Sequence, residues 1–337
     1  MSLDTSTLSA RLRARAVDLD RHQLLVTNFH NTGQEPDLAE PANCQGFGRI
    51  RHFRRQTTPG WPANPLPLDP ACAALGLPTT DLLRAQVFQN AACNWRCWYC
   101  FVPFSLLSAN PAHSAWLDAE TLVELYLDQP DPPAVIDLTG GQPDLVPEWV
   151  PWMMRALTAR DLASRVYLWS DDNLSNDYFW RYLSDDDISL VADYPNYGKV
   201  ACFKGFDPTS FAFNTKAAPE LFDQQFDLFT RHADLGLDCY AYATFTTPIA
   251  TAVNDAMARF VDRIQAIAEY LPLRTVPLEI AVYSPMHARL GPTHHLALEH
   301  QWRAIEAWHT ELDRRFTASQ RATPITKIPL RKGPHHA

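Results

Sequence analysis

The chain has 337 residues, a formal net charge of −9, 46% hydrophobic and 20% charged residues. That composition supports a sizeable core, no run approaches the roughly 20 apolar residues of a bilayer span, and the negative balance speaks against a general nucleic-acid binder. The opening stretch MSLDTSTLSARLRARAVDLD lacks a basic start followed by an apolar block, so no secretory signal is expected and the cytoplasm is the expected location.

Residues 1 to about 82 are rich in proline, PGWPANPLPLDP spanning Pro59 to Pro70, and read as an irregular N-terminal extension with one helix near Ser6–Asp18. Within it RIRHFRR, Arg49 to Arg55, reads as a solvated turn or strand edge. From about residue 83 short apolar runs alternate with amphipathic segments. AQVFQ (Ala85–Gln89) is a strand, and Asp118 caps a helix carrying Leu122, Val123, Leu125 and Tyr126 on one face. AVIDLT (Ala134–Thr139) is the next strand, followed by a helix with Pro147 near its first turn. RVYLWS (Arg165–Ser170) leads to a helix through Tyr178, Phe179 and Tyr182. SLVADY and KVACFKG are strand candidates, and Ala218–Leu235 is a helix closed by Gly236. CYAYATFTT (Cys239–Thr247) is a strand rich in aromatics and threonine, Val253–Leu271 a helix, PLEIAVYSP a strand, and His295–Phe316 a helix with Trp302, Ile305, Trp308 and Leu312 on one stripe. The basic stretch Lys327–Lys332 reads as a mobile tail. Repeated strand–helix alternation calls for parallel strands with helical crossovers, as an open doubly wound sheet or a full or partial β/α barrel. Either way ligands gather at the C-terminal strand ends.

Seven cysteines without an export signal do not suggest disulfides. Three of them crowd into CNWRCWYC, at spacing C-x3-C-x2-C, while Cys44, Cys72, Cys202 and Cys239 are scattered and suit small buried positions. Thiolates are the soft ligands chosen by iron–sulfur clusters and by zinc. A loop this tight can hold three irons and leave a fourth open; a structural zinc needs a fourth ligand from far away, such as Cys44, Cys72 or His113.

At this motif the chain resembles the radical S-adenosylmethionine (radical SAM) superfamily, whose signature is C-x3-C-x-aromatic-C, with Tyr99 in the aromatic place. The resemblance implies a partial (β/α)6-type barrel over residues 83–290, with additions at 1–82 and 291–337. It implies a [4Fe–4S] cluster on Cys93, Cys97 and Cys100, SAM on the fourth iron, and Tyr99 near the adenine. Gly140, Gly141, Gln142 and Pro143 stand where the family has a G-G-E-P-like element that contacts the SAM amino group, with Gln142 in place of glutamate. Ser170, Asp172 and Asn173 are expected to meet the ribose or the methionine carboxylate. Lys204, in CFKGFDP, resembles the lysine of the activating-enzyme branch, although Cys202 stands near the place of that branch's acidic residue. The expected activity is reductive cleavage of SAM to a 5′-deoxyadenosyl radical that abstracts hydrogen from a substrate, with flavodoxin or ferredoxin as one-electron donor. The substrate is either a small molecule or a partner protein, the latter making the chain a glycyl-radical activase. The rival class is a non-catalytic zinc- or cluster-binding protein. Tyr240, Tyr242, Thr244 and Thr246, with Glu279, Ala281 and Tyr283, alternate so that one face of each run can line a cavity. His287, His294, His295 and His300 fit no compact ligand set and read as surface or helix-start residues.

Overall fold

The computed structural model describes residues 2–330. Helix α1 (Thr5–Ala16) opens the chain, with Asp4 accepting from the Thr7 N–H as its cap. Short strands β1 (Val17–Asp18) and β2 (Gln23–Thr27) follow, then β3 (Gly48–Arg54), α2 (Leu68–Leu75) and β4 (Leu82–Phe88). After the cysteine loop come β5 (Ser114–Asp118), which pairs with β2 in a three-stranded antiparallel sheet, and α3 (Ala119–Leu127), capped by Asp118 as its sequence predicts. The remaining order is β6 (Val135–Leu138), α4 (Trp149–Ala159), β7 (Tyr167–Asp172), α5 (Tyr178–Tyr182), α6 (Asp185–Asp193), β8 (Tyr197–Phe203), α7 (Pro208–Thr215), α8 (Leu221–Asp234), β9 (Cys239–Thr244), α9 (Val253–Ile267), β10 (Thr275–Leu278) and α10 (Pro292–Arg315).

The main sheet runs in the order β10-β9-β8-β7-β6-β4-β3. Six strands, β4 to β10 without β5, are mutually parallel, and β3 closes one edge antiparallel to β4. The sheet is curled into an open (β/α)6-type half-barrel, the partial barrel expected. Its period-two alternation divides two interiors. Ile136, Leu138, Leu168, Ala201 and Phe203 pack outward against the helices. Val135, Tyr167, Trp169, Val200 and Tyr240 face the lumen, whose floor is closed by Leu68, Ala71 and Ile325.

Several local expectations change. Residues 1–82 are not irregular: they supply α1, the β1–β2 pair, α2, and one strand of the main sheet. The prolines that suggested a loose extension cluster between β3 and α2, where Trp61 donates through Nε1 to the Pro277 carbonyl and ties the excursion down. SLVADY is helical, because Ser184 and Asp187 form a reciprocal capping box and three aspartates occupy the first turn. PLEIAVYSP begins as β10 and leaves strand geometry after Leu278. Helix α7 has its own signal in the sequence, since Asp207 caps Ser210 and Pro208 takes the first turn. Residues 325–328 are docked rather than mobile: Ile325 and Ile328 are buried, and the Ile328 carbonyl accepts from Arg274 Nη1. The rest of the basic tail, 331–332, lies outside the described residues. No helix among the described residues is long and apolar enough to cross a membrane.

Candidate functional site

The cysteine loop leaves the C-terminal end of β4 and is held by every element around it. Cys93 N–H bonds the Leu107 carbonyl at 3.1 Å, and Arg96 and Trp98 N–H bond Thr215 and Asn214 carbonyls of α7 at 3.1 and 3.2 Å. Asn214 is a hub that the sequence did not single out: its side chain accepts from Trp98 Nε1 at 3.0 Å and donates to the carbonyls of Lys204 and Thr246. Two arginines hold the loop's own carbonyls, Arg96 on Cys93 and Arg289 on Cys100 and Val102, and both lie over the Phe104 ring. Tyr99 is buried and its hydroxyl meets Thr244 Oγ1 at 3.2 Å, joining the loop to β9.

The turn after β6 is knitted to the same loop. Gly140 and Gly141 have φ of 82° and 69°, and a Cβ on Gly141 would stand 2.3 Å from the Asn90 carbonyl oxygen and 2.6 Å from that of Ala92. Only glycine meets both conditions. Gln142 N–H bonds the Ala92 carbonyl at 2.7 Å, and Asn90 Nδ2 donates to the Gln142 carbonyl at 2.9 Å. Pro143 starts the short turn beyond and does not line the cavity.

Cys93, Cys97, Cys100, Tyr99, Gly140, Gly141, Gln142, Asn173 and Lys204 thus surround one cavity of about 220 Å³ at the C-terminal strand ends. A larger depression of about 580 Å³ beside α9 and α10 is bordered by the exposed charges of Asp255, Arg303 and Glu306 and has no buried ionisable group. Ser170 is absent from the cavity: it lies on the helix side of β7 and shares a 2.8 Å hydrogen bond with the Tyr197 hydroxyl. Asp172 touches the cavity, but its carboxylate is spent elsewhere, accepting from Gln142 Nε2 (2.7 Å), Leu174 N–H (2.8 Å) and the His232 ring (3.3 Å). The lumen-facing acid of this strand is Asp171, which accepts from the Thr139 hydroxyl. Of the expected set, Ser170 and the Asp172 carboxylate are directed to the helix face of β7, while Asn173 lines the cavity together with Asp171, since adjacent strand residues point oppositely.

Beneath the glycine turn, on the helix side, lies a buried ionic cluster. Lys199 Nζ bonds both oxygens of Asp144 at 2.9 Å, with Asp172 at 4.0 Å and His232 at 3.3 Å from Asp172. Asp144, Asp172 and His232 are the metal-capable side chains that converge within 4.8 Å of one another among the described residues. The Lys199 ammonium already supplies their cation. Burial pushes His232 down to about 4, against the pull of Asp172, so it is neutral at pH 7.

The donor set suits an iron–sulfur cluster. The three thiols do not all meet within 4.8 Å, whereas a tetrahedral zinc, with Zn–S near 2.3 Å, needs sulfurs about 3.8 Å apart. Burial raises all three thiols, Cys97 to about 12, so in the free protein they carry protons that a metal must displace. Asn173 Nδ2 points to Cys93 Sγ at 3.8 Å, while its Oδ1 is buried in the cavity wall without a partner. An orphaned acceptor beside open space is what a ligand's N–H or O–H groups would satisfy.

No protein-family model matches the chain, and no curated protein sequence matches it. Among solved structures it is similar to SuiB of Streptococcus suis bound to S-adenosylmethionine, at 16% identity and TM-score 0.37 over 52% of this chain and 36% of that one. It is also similar to native anSMEcpe with bound AdoMet, at 13% identity and TM-score 0.41 over 66% of this chain and 60% of that one. This chain therefore spans less than two thirds of either structure's length.

Gln142 makes an early test of the site's wiring. Its Nε2 donates to Asp172 and its Oε1 accepts from Asn173 N–H at 2.9 Å. Gln142→Glu replaces a donor by an anion facing a carboxylate. The variant is expected to lose about 1–3 kcal/mol at pH 7. The new carboxyl would be raised in the folded state, so the loss grows above the unfolded glutamate value near 4.3 and vanishes below it. Urea titrations at pH 7.5 and 4.5 check this; equal losses at both would contradict the like-charge account.

Proposed function

We propose that the chain is a radical SAM enzyme in which Cys93, Cys97 and Cys100 hold three irons of a [4Fe–4S] cluster and SAM occupies the open position. The observation that carries this reading is that the three thiols and the Gly140–Gln142 backbone line one cavity at the C-terminal ends of a curled parallel sheet. When bound and reduced by an external donor such as flavodoxin or ferredoxin, the cluster supplies the electron that splits SAM into methionine and a 5′-deoxyadenosyl radical.

The protein's share is placement. Glycines 140 and 141 let the backbone approach the methionine end closely. Asn173 offers Oδ1 to the ligand and an N–H to the Cys93 sulfur. Asp171, rather than Ser170 or Asp172, is the acid positioned on the lumen side for a ribose or amino contact, with Lys204 across the same cavity as the cation for a carboxylate. Tyr99 forms part of the wall and is fixed by Thr244. The closed floor under the lumen keeps bulk water from a reactive radical. Polar groups below the cysteines, the half-buried Arg51 and Asp171 and the buried Asp137, favour a small polar substrate over an entering protein segment.

Anaerobic reconstitution tests the reading. About four irons per chain, and 5′-deoxyadenosine released from SAM under dithionite, are expected. One zinc per chain with no SAM cleavage would sink it and favour a non-catalytic metal protein.

A further inference from the structure

The stretch Arg49–Arg55 reads from sequence as a solvated edge, and half of that is right. Strand β3 is the sheet's edge, but its alternate residues Arg49, Arg51 and Phe53 face the lumen. Register places Arg49 opposite Val87 and Val87 opposite Asp137, so Arg49 and Asp137 stand level, two strands apart. Arg51 Nη1 reaches Asp137 Oδ2 at 3.4 Å. Arg49 is only 7% exposed, and its Nε and Nη2 have no partner; neither does Asp137 Oδ1. A buried guanidinium without an acceptor is costly and calls for an explanation. Nε and Nη2 form one edge of the guanidinium, the parallel pair of donors that takes a carboxylate side-on through two hydrogen bonds.

Arg49 lines a second cavity, about 460 Å³, bordered with it by Thr57, Trp61 and Asn64. It shares Arg51, Phe101, Leu278, Glu279, Ala281 and Tyr283 with the cavity of the cysteines. The two therefore adjoin across these side chains and are treated together as one chamber. Phe101, on the cysteine loop, has its ring centroid 5.4 Å from the Arg49 guanidinium carbon and packs against Tyr283.

We propose that Arg49 is the substrate anchor of this chamber and binds a carboxylate through its Nε–Nη2 edge, with Phe101 moving aside as the group seats. Asp37, Asp171 and Glu279 border the chamber, so a monoanionic carboxylate is accommodated at less repulsion than a dianionic phosphate. Burial, then Arg51, lower Arg49 to about 10, which leaves it charged at neutral pH. The inference rests on the chamber being the substrate site of the proposed enzyme, but the binding it asserts is measurable without turnover.

The test uses cluster-loaded protein under anaerobic conditions, titrated with sodium acetate and sodium succinate against sodium chloride at matched ionic strength. Inorganic phosphate forms a second arm. Calorimetry and melting temperature are the readouts. Carboxylates are expected to bind and to raise the melting temperature where chloride does not. Arg49→Met is expected to weaken that binding at least ten-fold, with Arg49→Lys intermediate, while Phe101→Ala keeps it. Without ligand, Arg49→Met should melt at or above the parent, because it removes a buried charge that nothing in the protein pairs. The proposal is overturned if Arg49→Met melts several degrees lower, which makes Arg49 structural. Equal effects of acetate and chloride, or binding of phosphate in place of carboxylates, also overturn it. SAM cleavage assayed in parallel separates the two readings: cleavage without carboxylate binding removes the anchor alone, and carboxylate binding without iron or cleavage removes the enzyme and leaves the anion site.

Discussion

Alanine at Cys93, Cys97 or Cys100 is expected to abolish 5′-deoxyadenosine release from SAM, each variant alone falling below detection while remaining folded. A missing thiolate cannot be made good from nearby. Cys202 lines the same cavity, but it sits on strand β8 and its carbonyl is fixed by Gln225 Nε2, so it cannot move with the loop. Cys44, Cys72 and Cys239 lie elsewhere in the fold: Cys44 bonds the Leu125 carbonyl, Cys72 is buried in α2, and Cys239 starts β9. The loop keeps its shape without the thiols, because Leu107, Asn214, Thr215, Arg96 and Arg289 hold its backbone. Each substitution should therefore shift the melting temperature of the metal-free protein by only a few degrees, since one small buried group is lost. Iron content and absorbance near the visible cluster band give the second readout. A variant that keeps four irons and full cleavage removes that cysteine from the ligand set.

The contrast between loop and surroundings also explains how much of the site was legible in the sequence. Spacing alone identifies the cysteines, because three soft ligands in eight residues have few other uses. The glycines are legible for a related reason: both have a positive φ, and a Cβ on Gly141 would stand 2.3 Å from the Asn90 carbonyl oxygen, which leaves no choice of residue there. Faces are harder to read. On β7 the residues Ser170, Asp171 and Asp172 are all polar, so composition gives no clue to which one enters the lumen, and a one-residue error of phase exchanges the two interiors. The parity of Tyr167 and Trp169 carries the answer, but only once the chain on the other side of the sheet is known. Arg49 was hidden in the opposite way. Among four arginines in seven residues, burial of one is set by the partner strand and by Phe101, contacts made across the fold. SLVADY shows local capping chemistry overriding an apolar run, and Asp185–Asp187 was the readable signal for it.

The second large effect is expected at Lys199, which touches none of Cys93, Cys97 and Cys100 and does not line the cavity. Its ammonium is 1% exposed and bonds both Asp144 oxygens, with Asp172 beyond. Burial alone would strip its proton, but Asp144, Tyr197 and Asp172 more than offset that and hold it charged. Lys199→Met leaves two buried carboxylates facing each other, and removal of one partner of such a pair costs about 3–5 kcal/mol. Asp144→Asn in the same chain removes the stranded charge, so the double variant should recover most of the loss, a coupling of well over 1 kcal/mol. Denaturant melts of the four proteins measure it, and a single variant losing under about 1 kcal/mol would mean that the cluster is not load-sharing. The same cluster fixes the acid side of stability. His232 is held neutral in the fold down to about 4, below its ordinary value near 6.5. Between those values the unfolded chain binds a proton that the folded chain does not, so stability falls as pH drops from about 6.5 to about 4. His232→Gln should flatten that slope. Because Asp172 also holds Gln142, and Gln142 the glycine turn, acid loss of this cluster is expected to loosen the glycine turn and, through the Gln142–Ala92 hydrogen bond, the cysteine loop knitted to it.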